Sequence, residues 1–319
     1  CKISGFEVSR DQENHWASEY LGKAELKAMA PYDRPFALLN GSAVSQGLFL
    51  KCEESPKKPI HIFYYGERPV NATIRHLIKI ESGSELQLVE HFSGQGKYNI
   101  VMEGFFDSDA KFHHNRLVNR SLRNSLIGHF FAECMTASSV KTVNICLGNM
   151  AVRNEIFLSL EGSMCNATVA GLGIGKSKKS ICDNTIFVSH LDQSSKSRQI
   201  IKNVLSQGAK AIFQGKIYVD PKAQKTDGYQ MSNGLLLDEE SDFLVKPELE
   251  IYADDVACSH GSISGSINDE HLFYLKSRGI SEQESRRILV EAYLEEVVNE
   301  IEDSDLAQFV MEEIREVLV

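Results

Sequence analysis

The chain lacks the features that define several common protein classes. No apolar run approaches the roughly 20 residues that span a bilayer, so we expect no membrane segment. Seven cysteines are scattered at positions 1, 52, 134, 146, 165, 182 and 258, and no C-x-x-C pair occurs. Such an odd, scattered set is typical neither of a disulfide framework nor of a zinc module. Reduced thiols in a cytosol-like compartment fit it best.

Recognisable catalytic signatures are missing as well. There is no G-x-S-x-G elbow, no H-E-x-x-H helix and no kinase motif set. Asp254 and Asp255 are neighbours, so on a strand they diverge and make a poor acid/base pair. His113 and His114 diverge for the same reason, and His129 belongs to no recognised constellation, so we expect structural roles for all three. The sequence therefore predicts that the chain is not an enzyme.

One segment imitates a nucleotide-binding motif. Residues 170–177 read AGLGIGKS, close to a phosphate-binding loop, but the strict pattern requires glycine where Ala170 stands. The mechanism also requires a helix directly after Lys176, because a helix N-terminus holds the phosphates. The strand-like TIFVSHL follows at 185–191 instead, so we interpret 170–177 as a bare glycine-rich turn with no nucleotide site.

Positive charge is scarce at the C-terminal end. The net charge is −10, and residues 281–319 hold twelve acids against three arginines, which leaves −1 for residues 1–280. This distribution argues against a nucleic-acid partner, since phosphates require a basic surface. It suits a basic protein partner or solubility.

What the sequence does contain is a long series of short strands. Strand-like segments include 59–65, 72–80, 84–92 and 185–191, separated by Gly, Asn, Ser and Asp. The pattern predicts one helix inside this region, SRQIIKNVLSQG at 197–208, and another at 14–30 that ends before Pro31. No sharp internal period is apparent, so a sandwich, a barrel and a β-solenoid all remain compatible with the pattern.

After Ser266 the pattern becomes helical. Asn268 begins a helix that Arg278-Gly279 ends, and Ser281 begins the next with Glu284 completing a capping box. A third helix is predicted from about Asp305. We therefore divide the chain into a helical N-terminal remnant (1–35), a β core (36–266) and a small C-terminal helical domain (267–319).

Residues 246–280, which join the β core to the C-terminal helices, contain the best candidates for metal ligands. Leu249, Ile251 and Ala253 alternate with polar residues as in a half-buried strand, and Cys258 and His260 follow two residues apart. On an extended chain that spacing places a thiol and an imidazole on one side, a pair that suits iron, copper or zinc. Two side chains cannot complete a tetrahedral site, so other donors are needed; a buried cysteine beside a hydrogen-bonded histidine is the alternative.

The words ADDV, CSHG and LFYLKSRGI between residues 253 and 280 resemble the SufB/SufD family of the SUF iron–sulfur cluster assembly system, and CSHG resembles its SufD branch. The resemblance continues at 147–162 and 189–240 and covers most of residues 36–300. It implies a mainly β fold, a right-handed parallel β-helix core with C-terminal helices. It also implies a non-catalytic scaffold subunit that pairs with a SufB-like subunit and docks a SufC-like ATPase.

The same resemblance assigns roles to particular residues. Cys258 and His260 become interface ligands for iron or a nascent iron–sulfur cluster, with no tightly bound cofactor, and Asp254 could orient the imidazole on their shared face. The expected ATPase-binding surface is aromatic and basic, and comprises Phe273, Tyr274, Arg278, Gly279 and Tyr293. The C-terminal helices are also expected to seal the end of the β core.

Two other functions and two further properties remain open. A SufB-like protein could carry the cluster itself, and a β-solenoid enzyme could act on polysaccharides. Edge strands of an open β core favour a homodimer when SufB is absent. We expect a cytoplasmic location of the bacterial type. Because the chain starts at Cys1, its true N-terminus is expected to be missing, so import into an organelle stays open.

Overall fold

A computed structural model describes residues 2–7, 19–28, 34–44, 46–148 and 150–318, with residues 2–7 described by their backbone alone. The chain is mainly β, with 54% strand, and forms a parallel β-solenoid of about eight turns with helices at its C-terminal end. The expected β-helix class is therefore confirmed, and the sandwich and the barrel are excluded.

The described residues contain fifteen strands and five helices, joined by turns and short connections. The strands are β1 (Lys2–Glu7), β2 (Gln46–Cys52), β3 (Ile60–Ile80), β4 (Glu85–Phe106), β5 (Lys111–Val118), β6 (Ser125–Cys134), β7 (Ser139–Leu147), β8 (Ala151–Leu160), β9 (Asn166–Gly175), β10 (Ile181–His190), β11 (Lys196–Leu205), β12 (Lys210–Val219), β13 (Thr226–Leu236), β14 (Asp242–Ile251) and β15 (Val256–Gly265). The helices are α1 (Lys23–Lys27), α2 (Pro35–Ala43), α3 (Asp269–Ser277), α4 (Glu282–Val298) and α5 (Ser304–Leu318).

The strands form two parallel ladders that share β4. The even ladder runs from β4 through β6, β8, β10 and β12 to β14, and the odd ladder runs from β4 through β5, β7, β9, β11 and β13 to β15. Paired residues lie from 26 apart, as in Ser125 with Ala151, to 32 apart, as in Lys210 with Asp242. This variation in turn length explains why no sharp period is visible in the sequence.

Stacked turns join the two ladders at one edge. At this edge, six turn residues, about one per coil, have a left-handed backbone, and five of these six are not glycine. Each donates its N–H to a carbonyl in the next coil, as Ala137 does to Ser163 and Ser194 does to Gln224. These hydrogen bonds offset the strain of the left-handed conformation. The six are Gly83, Asp109, Ala137, Met164, Ser194 and Lys225.

The interior of the coil is mostly apolar, because alternate residues of every strand point into it. Leu86, Phe112, Val140 and Ala167 form one such column, since each is the register partner of the next on the odd ladder. All four are fully buried. Stacking thus turns the alternating pattern of single strands into a continuous core.

The predicted helix at 197–208 is wrong. Residues 196–205 form β11, paired on both sides with β9 and β13. Ile201 and Leu205 point into the coil, while Ile200 and Val204 pack against the C-terminal helices on the outside. Burial on both faces produces apolar residues at i, i+1, i+4 and i+5, which imitates helical spacing.

The C-terminal helices α3–α5 are confirmed, together with the N-caps of α3 and α4, although the Glu284 carboxylate expected in a capping box accepts from Arg287 instead. The side chain of Asn268 accepts from the backbone N–H of His271, that of Ser281 accepts from Glu284, and Gly279 has the left-handed backbone of a helix end. Helices α4 and α5 pack on the outer face of the odd ladder, where Leu294 and Val310 meet apolar residues of β7, β9 and β11. They flank the solenoid, so the expectation that they seal its end is wrong.

The N-terminal segment has mixed structure. Of the helix expected at 14–30, residues 19–28 are described and only Lys23–Lys27 is helical; the rest lies outside the described residues. Strand β1 pairs antiparallel with β2, and helix α2 extends into the region 36–266 that was expected to be β. No helix in the described ranges is both long and apolar enough to cross a membrane.

Candidate functional site

The C-terminal coil of the solenoid ends in two edge strands. The path of paired strands starts at β14 and finishes at β15, so each has a neighbour on one side only. Large apolar side chains are exposed there, with Leu244 on β14 54% exposed and Ile263 on β15 58% exposed. Unpaired N–H and C=O groups beside exposed apolar residues are the features that allow another strand to add.

Cys258 and His260 both lie on β15, in this last coil. Cys258 is the register partner of Gly228 on β13, and His260 is the partner of Gln230. Cys258 is half-buried and packs near Ile217, while His260 is exposed. Strand alternation therefore places both side chains on the inward side, at the open mouth of the coil, as the i, i+2 spacing predicts.

Gly228 makes room for the thiol. A Cβ atom at this position would lie 3.2 Å from Cys258 Sγ and 3.3 Å from side-chain atoms of Ile217. Burial raises the pKa of the Cys258 thiol, only partly opposed by a hydrogen bond from the Gly228 backbone. The thiol is therefore protonated at neutral pH and would lose its proton on binding a metal.

The expected orienting role of Asp254 is not supported by its position. Strand β14 ends at Ile251, and a bend at residues 254–255 separates it from β15, so Asp254 is not on the strand that carries His260. Asp254 is exposed, and Asp255 uses its carbonyl to accept from the backbone N–H of Lys225. The prediction that Asp254 shares a face with His260 assumed one continuous strand, and the bend at residues 254–255 interrupts the alternation of side chains between the two faces.

No complete metal site converges in the described part of the chain, where three or more histidine, cysteine or carboxylate side chains nowhere come together. Cys258 and His260 supply at most two ligands, separated by roughly 7 Å along the strand. Further donors would have to come from another molecule that meets the same coil.

The five residues expected to bind an ATPase fall into two groups. Phe273 and Tyr274 on α3 are 73% and 57% exposed, and the Arg278 guanidinium lies 5.1 Å from the Tyr274 ring centre, beside Gly279 at the helix end. Tyr293 instead lies against the solenoid. Its hydroxyl donates to the carbonyl of Asn233 over 2.8 Å.

Tyr293 forms part of the joint between α4 and the odd ladder. The Lys202 ammonium donates to the Tyr293 carbonyl over 2.7 Å and lies 4.6 Å from its ring centre. Burial raises the pKa of the Tyr293 phenol. These contacts give the residue a structural role within the chain, whatever its role toward a partner.

The segment that imitates a phosphate-binding loop is mostly strand. Residues 170–175 belong to β9 and the turn begins only at Lys176, so the interpretation of 170–177 as a bare turn is wrong for its glycines. Strand β10 follows, and no helix N-terminus is available to hold phosphates. The Lys176 ammonium donates to the carbonyl of Val317 on α5, and burial lowers its pKa.

A buried charged network lies inside the first coils and was not anticipated from the sequence. The carboxylate of Glu90 accepts from Arg116 Nε at 2.8 Å, from His114 Nε2 at 2.9 Å and from the Tyr64 hydroxyl at 2.8 Å. The Tyr64 hydroxyl also lies 2.6 Å from His76 Nε2. Burial alone would raise the pKa of Glu90, but Arg116 and then His114 hold it well below its usual range.

The three histidines for which structural roles were expected, His113, His114 and His129, all have partners within the chain. His114 points inward to Glu90, whereas the neighbouring His113 lies 3.5 Å from Glu85, so the two side chains diverge as predicted. His129 Nδ1 lies 2.9 Å from a carboxylate oxygen of Glu155. Partners 24 to 26 residues away, as for His114 or His129, become neighbours only through the stacking of coils.

Comparison with known proteins agrees with this architecture. Residues 63–293 match the family model described as "SUF system FeS cluster assembly, SufBD core domain". The chain is 32% identical over 277 residues to the iron–sulfur cluster assembly protein SufD of Escherichia coli, covering 83% of this chain and 64% of that protein. The chloroplastic protein ABCI7 of Arabidopsis thaliana is 26% identical over 315 residues, covering 93% of this chain and 64% of that protein.

The chain belongs to the SufBD family, as the sequence resemblance predicted. A SufBD family protein of Synechocystis is 26% identical over 290 residues, 83% of this chain and 62% of that protein. The chain thus spans a little under two thirds of the length of these relatives.

Proposed function

We propose that this chain is a non-catalytic scaffold subunit for iron–sulfur cluster assembly. Its last coil pairs with a SufB-like subunit, and its C-terminal helices dock a SufC-like ATPase. The cluster is cargo, assembled between subunits and passed on. The observation that carries the proposal is the position of Cys258 and His260 on a terminal strand with one free edge, beside exposed apolar residues. The proposed location is the cytoplasm, or an organelle of bacterial origin.

Pairing at the end coil is supported by its chemistry. Strands β14 and β15 each offer one row of free backbone groups, so a partner that ends in similar strands can extend both ladders. Burial of Leu244 and Ile263 by that partner would add apolar contact energy of roughly 1.5–3 kcal/mol for each side chain fully buried. The same edges can accept a second copy of this chain, which gives a homodimer when no SufB-like subunit is present.

Cys258 and His260 can supply two of the ligands that a metal ion needs where a partner subunit meets the last coil. A half-buried thiol and an exposed imidazole face the mouth of the coil, and a soft or borderline ion such as iron accepts both. A partner seated on the same coil would supply the remaining donors and exclude water. His260 is the more accessible ligand of the two.

Docking of the ATPase is assigned to α3. Tyrosine and arginine are among the side chains most enriched at binding hot spots, and phenylalanine is enriched at protein interfaces. Phe273, Tyr274 and Arg278 form such a group at the end of a capped helix. ATP hydrolysis is assigned to the docked partner.

Mixing the chain with SufB-like and SufC-like proteins and measuring the mass of the product by native mass spectrometry tests the assembly. Ile263→Asp should abolish pairing with the SufB-like protein and leave binding of the SufC-like ATPase intact. Phe273→Ala should weaken binding of the ATPase and leave pairing with the SufB-like protein intact. The matched controls are Leu26→Asp on α1 and Phe309→Ala on α5, both at exposed apolar positions. A complex that survives Ile263→Asp unchanged would contradict pairing through the end coil.

Anaerobic reconstitution with iron and sulfide separates this proposal from a SufB-like cluster carrier. The isolated chain should develop no stable visible chromophore, and the assembled complex should develop one that weakens with His260→Ala more than with Cys258→Ala. A stable brown chromophore on the lone chain would favour the carrier. Binding of ATP to the lone chain, lost on Lys176→Ala, would overturn the assignment of nucleotide chemistry to the partner.

A further inference from the structure

A second pair of candidate ligands lies on strands β3 and β4, in the first coils of the solenoid and far along the stack from β15. Phe63 and His91 are register partners on these parallel strands, and His61 precedes Phe63 by two residues. The neighbouring residues Ile60 and Ile62 point into the coil, so His61 and Phe63 point outward. His61 and His91 therefore occupy diagonal positions on one outer face.

The two imidazoles are held close together. Nδ1 of His61 lies 3.0 Å from Nε2 of His91, and the ring planes differ by 16°. The ring of Phe63 stacks on His91 with centres 4.5 Å apart and planes 9° apart. His61 is exposed and His91 is half-buried, so one side of the pair is open to solvent and the other is supported.

Burial of the His91 ring, and then the nearby His61, lowers the pKa of His91 to about 4, so His91 is a neutral ligand near neutral pH. In the metal-free pair, one N–H lies between the two facing nitrogens. Binding of an ion requires that ring to carry its proton on its other nitrogen, so no net proton is released.

The facing nitrogens are held by an N–H···N hydrogen bond, with ring centres 5.2 Å apart, so each ring must turn from the hydrogen-bond axis to direct a lone pair at a shared ion. The present separation of the nitrogens is close to that of adjacent ligands on one ion. With metal–nitrogen bonds of about 2.1 Å, nitrogens 3.0 Å apart subtend about 90° at the ion. Tetrahedral coordination would require roughly 3.4 Å. Angles of 90° are those of square-planar and octahedral ions, of which Ni(II) and Cu(II) bind imidazole well.

We propose that Nδ1 of His61 and Nε2 of His91 form a binding site for a divalent transition-metal ion of the nickel or copper class. Water completes the coordination, because no third histidine, cysteine or carboxylate joins these two in the described ranges of the chain. The site is separate from Cys258 and His260 and does not depend on the role proposed for them.

Isothermal titration of the tag-free, reduced chain with nickel chloride near neutral pH tests the site. Nickel is the preferred probe because, unlike copper, it does not oxidise the free thiols. We expect one ion per chain, and about a 100-fold loss of affinity in His61→Ala and in His91→Ala, since either change removes the chelate. His113→Ala is the matched control and should retain the affinity within about twofold.

Folding does not confound the result, because His61 is exposed and its replacement should change stability by no more than about 0.5 kcal/mol. A second readout is the ring ¹⁵N spectrum, in which nickel should broaden the signals of these two histidines first. No binding at about 1 mM nickel, or equal binding by the wild type and by His61→Ala, would overturn the proposal.

Discussion

Replacing Glu90 by glutamine should destabilise the chain strongly, although the two side chains have nearly the same shape. All the groups that face the carboxylate are donors, from Arg116, His114 and Tyr64. A glutamine side chain has a single acceptor oxygen, and its NH₂ group would meet donors. Arg116, which is 1% exposed, would then be a buried cation without a counter-charge.

The magnitude follows from the burial of this pair. Breaking a buried ion pair by removing one partner costs about 3–5 kcal/mol. The unfolding entropy of a 319-residue chain is about 0.7 kcal/mol per kelvin at the usual value per residue. Glu90→Gln should therefore lower the Tm by about 4–7 °C, whereas Glu90→Leu combined with Arg116→Leu should lower it less, because no lone charge remains.

Differential scanning calorimetry is the suitable assay, with Glu85→Gln as the matched control. Glu85 lies on the same strand, but its side chain is 38% exposed and its partner is His113 at 3.5 Å, so its replacement should shift the Tm by less than about 1 °C. A Glu90→Gln variant that melts within about 1 °C of the wild type would refute the view that Arg116 depends on this carboxylate.

Three other outcomes are expected. Burial lowers the pKa of His76 to about 4, below the unfolded value of 6.5, so about 3 kcal/mol of stability that is present above pH 6.5 should be lost as the pH falls toward 4. A His76→Gln variant whose urea denaturation midpoint falls with pH as steeply as that of the wild type would contradict this. Ala137→Gly should stabilise the chain by about 0.5 kcal/mol in urea unfolding and Ala137→Val should destabilise it, because φ is 57° there; equal effects would exclude strain. Tyr293→Phe should cost about 1 kcal/mol and speed hydrogen exchange in α4, unlike Tyr274→Phe on the exposed α3.

The sequence predicted the strands and the C-terminal caps well, because these depend on neighbours along the chain. Asn268, Ser281 and Gly279 act within one helical turn, and their roles were readable from spacing alone. For residues 196–205, the same reasoning from local spacing predicted a helix where the structure has strand β11. Their apolar pairs reflect burial beneath α4 on one side and inside the coil on the other, and a one-dimensional pattern cannot separate that from a helix.

The candidate site was predictable only in part. The placement of Cys258 and His260 on one strand face followed from their spacing, whereas the bend at 254–255 that removes Asp254 from that face did not. His61 and His91 are 30 residues apart, close to one turn of the solenoid, and this distance is the single sequence signal that could have paired them. Variation of the turn length between 26 and 32 residues hides that signal until the strand register is known.

Because α4 and α5 lie along the flank, they brace the middle coils and leave the last coil with support from one neighbour only. In a stack of this kind each rung is stabilised chiefly by the rungs on either side, so opening fluctuations start at the unbraced end. We therefore expect the strand that carries the thiol and the imidazole to open more readily than the strands beneath the helices, and a second subunit that pairs with it to suppress this opening.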